Sequence, residues 1–221
     1  MDLKSHYTAP NAYKYGLKIT SPFVEDFSKV VAGGGEVVYV AAGTHKTLMN
    51  DLSGHRLIVV DVEEGGSFEY EERSSGQSVK SDLHVFLRGK NAKVTIQARY
   101  ELDGVAKLDI LHRVYHEADG TSSEIETRGA LWGESHLIYR SGIRMEEGSR
   151  ATKGKEDARF IVLSKAAKID AIPALDISAK ETSTSHALSI RRISDAELFY
   201  PKLRGLDAAT AEALVLEGFL K

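Results

Sequence analysis

Cysteine is absent from the 221 residues. That absence removes disulfides, thiolate nucleophiles and thiolate metal ligands together, so any metal held by this chain alone must use His, Asp, Glu or backbone oxygen. Long apolar runs are absent as well; a stretch such as Val37–Ala42 is far too short to span a bilayer. The opening MDLKSHYTAPNAYKYG has no apolar h-region, so no signal peptide is expected and the cytoplasm is the default location. Neither sign of charge dominates: 29 Lys and Arg face 32 Asp and Glu, and a net charge of −3 gives no broad cationic field to attract nucleic acid or anionic lipid.

Catalytic signatures are missing too. Gly43-Thr44-His45-Lys46-Thr47 and the stretch from Gly148 to Lys155 both lack the spacing of a phosphate loop. Gly33 to Gly35 is not followed by the strand–turn–helix of a dinucleotide site, and no G-x-S-x-G elbow occurs. The carboxylate pairs Glu63-Glu64, Glu71-Glu72 and Glu146-Glu147 sit beside turns and read as solvated acidic faces. No catalytic constellation results, and a non-enzymatic role is expected.

What the chain does have is strands. At 42% hydrophobic residues it can bury a core, and its length suits one domain with a minor appendage. In residues 1–55, a short N-terminal segment, Thr20-Ser21-Pro22 reads as a turn. Phe23–Val31 reads as a short helix with Phe23, Phe27, Val30 and Val31 on one side, and Glu36–Ala42 as a strand. From residue 56 to about 190, ten strand candidates follow one another with almost no helical period between them, from LIVVDVEE to ETSTSHALSI. The turns between them are short and rich in Gly, Asn, Asp and Ser.

A weak repeat (GGSFEY, KNAKVTI, DGVAKLDI, GTSSEIET, KAAKIDA, SAKETST) recurs at an irregular spacing of roughly 13 to 30 residues, which suits coils of unequal sides. Antiparallel hairpins give similar turn signals. Few of these turns have the Asn-Gly or Asp-Gly form that fixes a two-residue hairpin, which tilts the reading toward a parallel β-solenoid. Beyond Ile190 the period becomes helical. Ser194-Asp195-Ala196-Glu197 matches a capping box, and Asp207 is a second N-cap for a helix ending at Gly218. Two short helices need a body to pack on, because isolated helices below about 12 residues are marginal in water.

Three features qualify as candidate sites. His112 and His116 would share one face of a helix, but LDILHRVYHE alternates as a strand and separates the rings by about 13 Å, so two structural histidines are expected. His186, in STSHAL, has small neighbours and the space a ligand needs, although a half-exposed strand histidine would look the same. Leu198-Phe199-Tyr200 puts three large apolar residues in a row, so at least one should be exposed, either to meet a partner near Arg204 or to clamp the helices onto the body.

The run SHALSIRRISDAELFYPKLRGLDAATAEALVLEGF resembles the C-terminal signature of the SufB/SufD family: a histidine step, an acidic Leu-Phe-Tyr, an Arg-Gly and a closing Gly-Phe. VYHEADGTSSEIETRGAL and YRSGIRMEEGSRATKGKEDARFIVLSKAAKIDAIPALDI resemble the family's core, including its Pro-x-Leu-acidic-Ile segment. The resemblance spans about residues 56–221. It implies a right-handed parallel β-helix (residues 56–190) with a C-terminal helical docking segment (191–221), in a scaffold for iron–sulfur cluster assembly. It also implies that Leu198, Phe199, Tyr200, Arg204, Gly205 and Phe219 dock an ABC-type ATPase of the SufC kind. His186 would then lie where a second subunit, SufB-like or a second copy, shares a transient cluster. No cofactor is expected on this chain alone.

The departures point to a SufD-like member. No cysteine stands near Ala158, and Ala187 replaces a glutamate, so the chain offers an imidazole and a partner must offer the thiolates. Pro201 predicts that the first tail helix ends or kinks there, since proline inside a helix costs about 3 kcal/mol. Two rivals remain: a paralogue that keeps the fold without handling metal, and a β-helix enzyme acting on polysaccharide.

Overall fold

A computed structural model describes residues 26–74 and 76–221. After a short helix α1 (Phe27–Ala32) come twelve strands: β1 Glu36–Val40, β2 His45–Asn50, β3 Arg56–Val62, β4 Ser67–Arg73, β5 Val79–Leu87, β6 Lys93–Leu102, β7 Lys107–His116, β8 Ser122–Leu131, β9 His136–Met145, β10 Lys153–Val162, β11 Lys168–Ile177 and β12 Ser183–Arg191. Helices α2 (Asp195–Leu203) and α3 (Ala208–Leu220) close the chain. Odd strands stack in one six-stranded sheet and even strands in another. Every pairing is parallel. The chain is a β-solenoid with two strands per coil, and antiparallel hairpins are ruled out.

Register shows why the repeat looked irregular. His45 pairs with Ser67, Ser67 with Lys93, Lys93 with Ser122, Ser122 with Lys153 and Lys153 with Ser183, so successive coils take 22, 26, 29, 31 and 30 residues. The repeat motifs fall on both strands of a coil, and their spacing mixes whole coils with halves. The sheets also extend further toward the N-terminus than residue 56. β1 pairs with β3 and β2 with β4, so the strand expected at Glu36 belongs to the first coil, and the rejected phosphate-loop stretch holds the start of β2. Thr20-Ser21-Pro22 and the first residues of the Phe23–Val31 helix lie outside the described residues. Within α1, Val30 is buried but Val31 is 60% exposed, contrary to the expected shared face.

Alternation aims each even strand's apolar set at the bore. Val94, Ile96, Ala98, Tyr100 and Leu102 of β6 are buried, and their neighbours one coil on continue the columns. Ile96 leads to Ile125 and then Glu156; Tyr100 leads to Gly129 and then Phe160. Gly129 lets the two rings sit in one column, because a Cβ there would come within 2.8 Å of Phe160 Cδ1. The turns are corners between sheets rather than hairpins, and they form a ladder of their own: Gly65 N–H donates to Lys90 O, Asn91 N–H to Asp119 O and Gly120 N–H to Arg150 O, at 2.8–3.0 Å.

Candidate functional sites: the bore, its open end and the helical tail

The apolar filling of the bore is interrupted at Glu72, which shares the inward parity of Phe68 and Tyr70 on β4. It is fully buried, so the expectation of a solvated acidic face at Glu71-Glu72 fails for this residue. Its Oε2 accepts from the Tyr70 hydroxyl (2.6 Å), the Ser81 hydroxyl (2.9 Å) and Asn50 Nδ2 (3.1 Å). Oε1 accepts from the Tyr100 hydroxyl (2.6 Å) and lies 3.2 Å from His112 Nε2. Burial alone pushes the carboxyl upward. The His112 contact and the Tyr100 and Tyr70 hydroxyls outweigh it and hold the carboxyl below its ordinary range. The same burial, reinforced by the Glu72 charge, pushes both phenols far up.

His112 is thus a structural member of this network, and its ring also meets Tyr70 and Tyr139 edge-on. His116 is buried elsewhere, with Nδ1 2.8 Å from Thr121 Oγ1 and Nε2 2.8 Å from Ser123 Oγ. Desolvation lowers its pKa to about 4, so the ring is neutral at physiological pH. The two histidines have different partners and do not form one metal site.

A second buried carboxylate interrupts the bore at Glu156 on β10, among the inward Gly154, Ala158 and Phe160. The Ser141 hydroxyl donates to Oε1. The Tyr139 hydroxyl lies 3.4 Å from the same oxygen, with Thr127 Oγ1 3.0 Å behind it. Oε2 lies 3.2 Å from Nδ1 of His186, the residue paired with Glu156 in register on β12. His186 therefore points into the bore in the last coil. Its side chain is 23% exposed, because no further coil of the described residues covers it. Around it this end shows apolar residues to solvent: Leu175 and Ile177 on β11, Leu188 and Ile190 on β12. Both strands are sheet edges, a geometry that invites pairing with another chain. Among the described residues no three His, Asp or Glu side chains gather as a metal site.

The tail begins with the expected capping box. Glu197 N–H donates to Ser194 Oγ (3.3 Å) and Ser194 N–H to Glu197 Oε2 (2.9 Å). That bond and Arg191 lower the Glu197 carboxyl to about 2. Asp207 caps α3 through Thr210 N–H at 2.8 Å. The helix runs through Pro201 and ends two residues later, close to the break expected there, and Pro201 is the one buried residue of α2. One expectation fails: α3 does not stop at Gly218 but continues to Leu220. Gly205 serves the turn between the helices, where φ is +87°.

The tail has an inner and an outer face. On the inner one, Leu216 packs with Ala130 and Ile161 of the solenoid, and Phe219, with Arg191 5.8 Å above its ring, joins that cluster. Arg99 Nε on β6 donates to Leu220 O at 2.8 Å. Phe219 therefore clamps the tail to the body. On the outer face Phe199, Tyr200 and Leu203 are 63%, 62% and 67% exposed, with Leu198 half-buried. Arg204 lies over the Tyr200 ring at 5.2 Å and donates to its hydroxyl at 2.7 Å. Leu198, Phe199, Tyr200, Arg204 and Gly205 thus share α2 and the α2–α3 turn, and Phe219 lies apart from them on the inner face of α3.

The described residues thus form a parallel solenoid whose last coil shows apolar side chains to solvent, with an anchored helical hairpin whose aromatics are exposed. Residues 21–219 match the family model described as SUF system FeS cluster assembly, SufBD core domain. The chain belongs to the SufBD family of iron–sulfur cluster assembly proteins. It is 31% identical over 144 residues to an iron–sulfur cluster assembly SufBD family protein of Methanothermobacter thermautotrophicus, an alignment covering 65% of this chain and 35% of that protein. It is 28% identical over 108 residues to the iron–sulfur cluster assembly protein SufD of Bacillus subtilis, covering 49% and 25%. A SufBD family protein of Mycobacterium leprae is 24% identical over 161 residues, covering 72% and 18%. The chain thus aligns with about a third or less of each of these relatives. No described helix is long and apolar enough to cross a membrane.

Proposed function

We propose that this chain is a SufD-like, non-enzymatic scaffold subunit of an iron–sulfur assembly system, which binds an ABC-type ATPase of the SufC kind through α2 and the α2–α3 turn. The observation that carries this is the outer face of the hairpin. Phe199, Tyr200 and Leu203 stay more than half exposed on a helix whose N-terminus is capped and whose partner helix is anchored. Large aromatics beside an arginine are typical of the anchors at protein–protein contacts. Phe219 contributes indirectly by holding the hairpin in place.

In this reading the open end receives a second β-solenoid subunit, SufB-like or another copy, over Leu175, Ile177, Leu188 and Ile190. His186 offers an imidazole there to a transient cluster, and the thiolates come from the partner. The test is co-purification with the cognate ATPase. Wild type is retained and Phe199→Asp is not; retention of Phe199→Asp would show that the hairpin is not the docking surface. The rival reading, a paralogue that handles no metal, predicts that anaerobic reconstitution with iron, sulfide and a cysteine-bearing partner gives the same cluster yield with His186→Ala as with wild type.

A further inference from the structure

Deepening the reading that His186 lends an imidazole to a cluster, we propose that Glu156 is the positioning residue for that ring. It fixes His186 as the Nδ1–H tautomer and leaves Nε2 as the lone-pair nitrogen for an iron atom at the open end of the bore.

Glu156 is almost wholly buried, and a carboxylate can only accept hydrogen bonds. Ser141 and Tyr139 donate to Oε1, and Tyr139 is itself engaged by Thr127 from β8. This side of the carboxylate is tied to side chains of β9 and, through Tyr139, to β8. The remaining oxygen, Oε2, meets His186 Nδ1 at 3.2 Å, and it can do so only if that nitrogen carries the proton. Nε2 has no described partner, and the ring is partly exposed. An imidazole whose far nitrogen donates to a carboxylate has its tautomer fixed, its plane oriented and its free nitrogen made more basic, as in carboxylate–histidine–metal arrangements.

The parallel register supplies the geometry. Glu156 and His186 are direct neighbours on one inward column, so no loop has to place them. Glu72 and His112 show the contrast, since that pair meets in the closed part of the bore where both residues are fully buried. Of these two pairs in the bore, the one that reaches the last coil has a ring with access to solvent.

The test reads the ring nitrogens of His186 in the full chain by long-range proton–nitrogen correlation at neutral to mildly alkaline pH, with the signals assigned by their loss in His186→Gln. Wild type should show a protonated, pyrrole-type Nδ1 and a bare, pyridine-type Nε2. In Glu156→Ala the two signals should exchange character, because an unheld neutral imidazole favours the Nε2–H form. Glu156→Gln, whose amide oxygen can still accept, should restore the wild-type pattern.

A wild-type ring in the Nε2–H form overturns the proposal without any variant, as does a pattern unchanged in Glu156→Ala. So does a Glu156→Gln spectrum that matches Ala, since packing rather than the hydrogen bond would then govern the ring. Loss of ATPase docking would sink the scaffold reading and leave this spectrum as it is. The wrong tautomer would sink the pairing and leave docking intact.

Discussion

Two carboxylates lie in the same bore, and their surroundings differ in the number of polar partners and in access to solvent. Glu72 sits in the second coil with five polar partners and no solvent. Glu156 sits one coil from the end with three, and the third, His186, is partly exposed. In the middle of a solenoid a buried carboxylate must be fully satisfied, and it then becomes a fixed part of the core. At the last coil the same construction holds a side chain that another molecule can reach. Position along the stack, more than residue type, separates enclosed from solvent-accessible polar groups here.

The largest expected effect tests the closed member of the pair. Glu72→Ala leaves Tyr70, Tyr100, Asn50, Ser81 and His112 without their common acceptor and should cost about 3–5 kcal/mol in chemical denaturation, the range for breaking a buried charged network. Ser141→Ala, which removes one donor to Glu156 near the open end, should cost about 1–3 kcal/mol. Equal costs at the two sites would dissolve the contrast.

Acid should act on the closed bore as well. His116 has a folded pKa of about 4 against an ordinary 6.5, so the unfolded chain takes up its proton first. Its contribution is complete above about 6.5 and is lost as pH falls through about 4, roughly 3 kcal/mol in all. In His116→Gln the slope of stability against pH between 6.5 and 4 should be shallower than in wild type; an unchanged slope refutes the assignment. At the other extreme, Ser194→Ala removes one cap of an exposed helix and should cost about 1 kcal/mol, with no effect on the bore.

The sequence made the strands legible because alternation and turn chemistry are local properties. All ten candidates from LIVVDVEE to ETSTSHALSI contain or overlap a strand, and both tail caps were readable. The two carboxylates were harder. In SFEYEER and KGKEDARFIV, counting by twos from Phe68 and Tyr70, or back from Phe160 and Ala158, places Glu72 and Glu156 on the inward face. That parity was the available signal, and proximity to a turn masked it for Glu72. Which histidine meets which carboxylate depends on long-range geometry that no local pattern encodes: Glu156 meets its in-register neighbour His186 from 30 residues away, and Glu72 meets His112 across the bore from 40 residues away. Pro201 signals an end or kink of α2 because its missing N–H and ring clash fall on the turn before it; the helix ends two residues beyond, at Leu203. Phe219 looked like part of the docking motif by sequence, yet its neighbours lie across the fold on β8 and β10.

The most direct test of the division between a self-sufficient solenoid and an outward-facing hairpin is a pair of measurements on Phe199→Asp: the affinity for the ABC-type ATPase by titration calorimetry, and the denaturation midpoint of the isolated chain. Phe199 is 63% exposed, so stability should stay within about 0.5 kcal/mol of wild type while ATPase binding is lost. Undiminished binding, or a destabilised chain, would contradict the account.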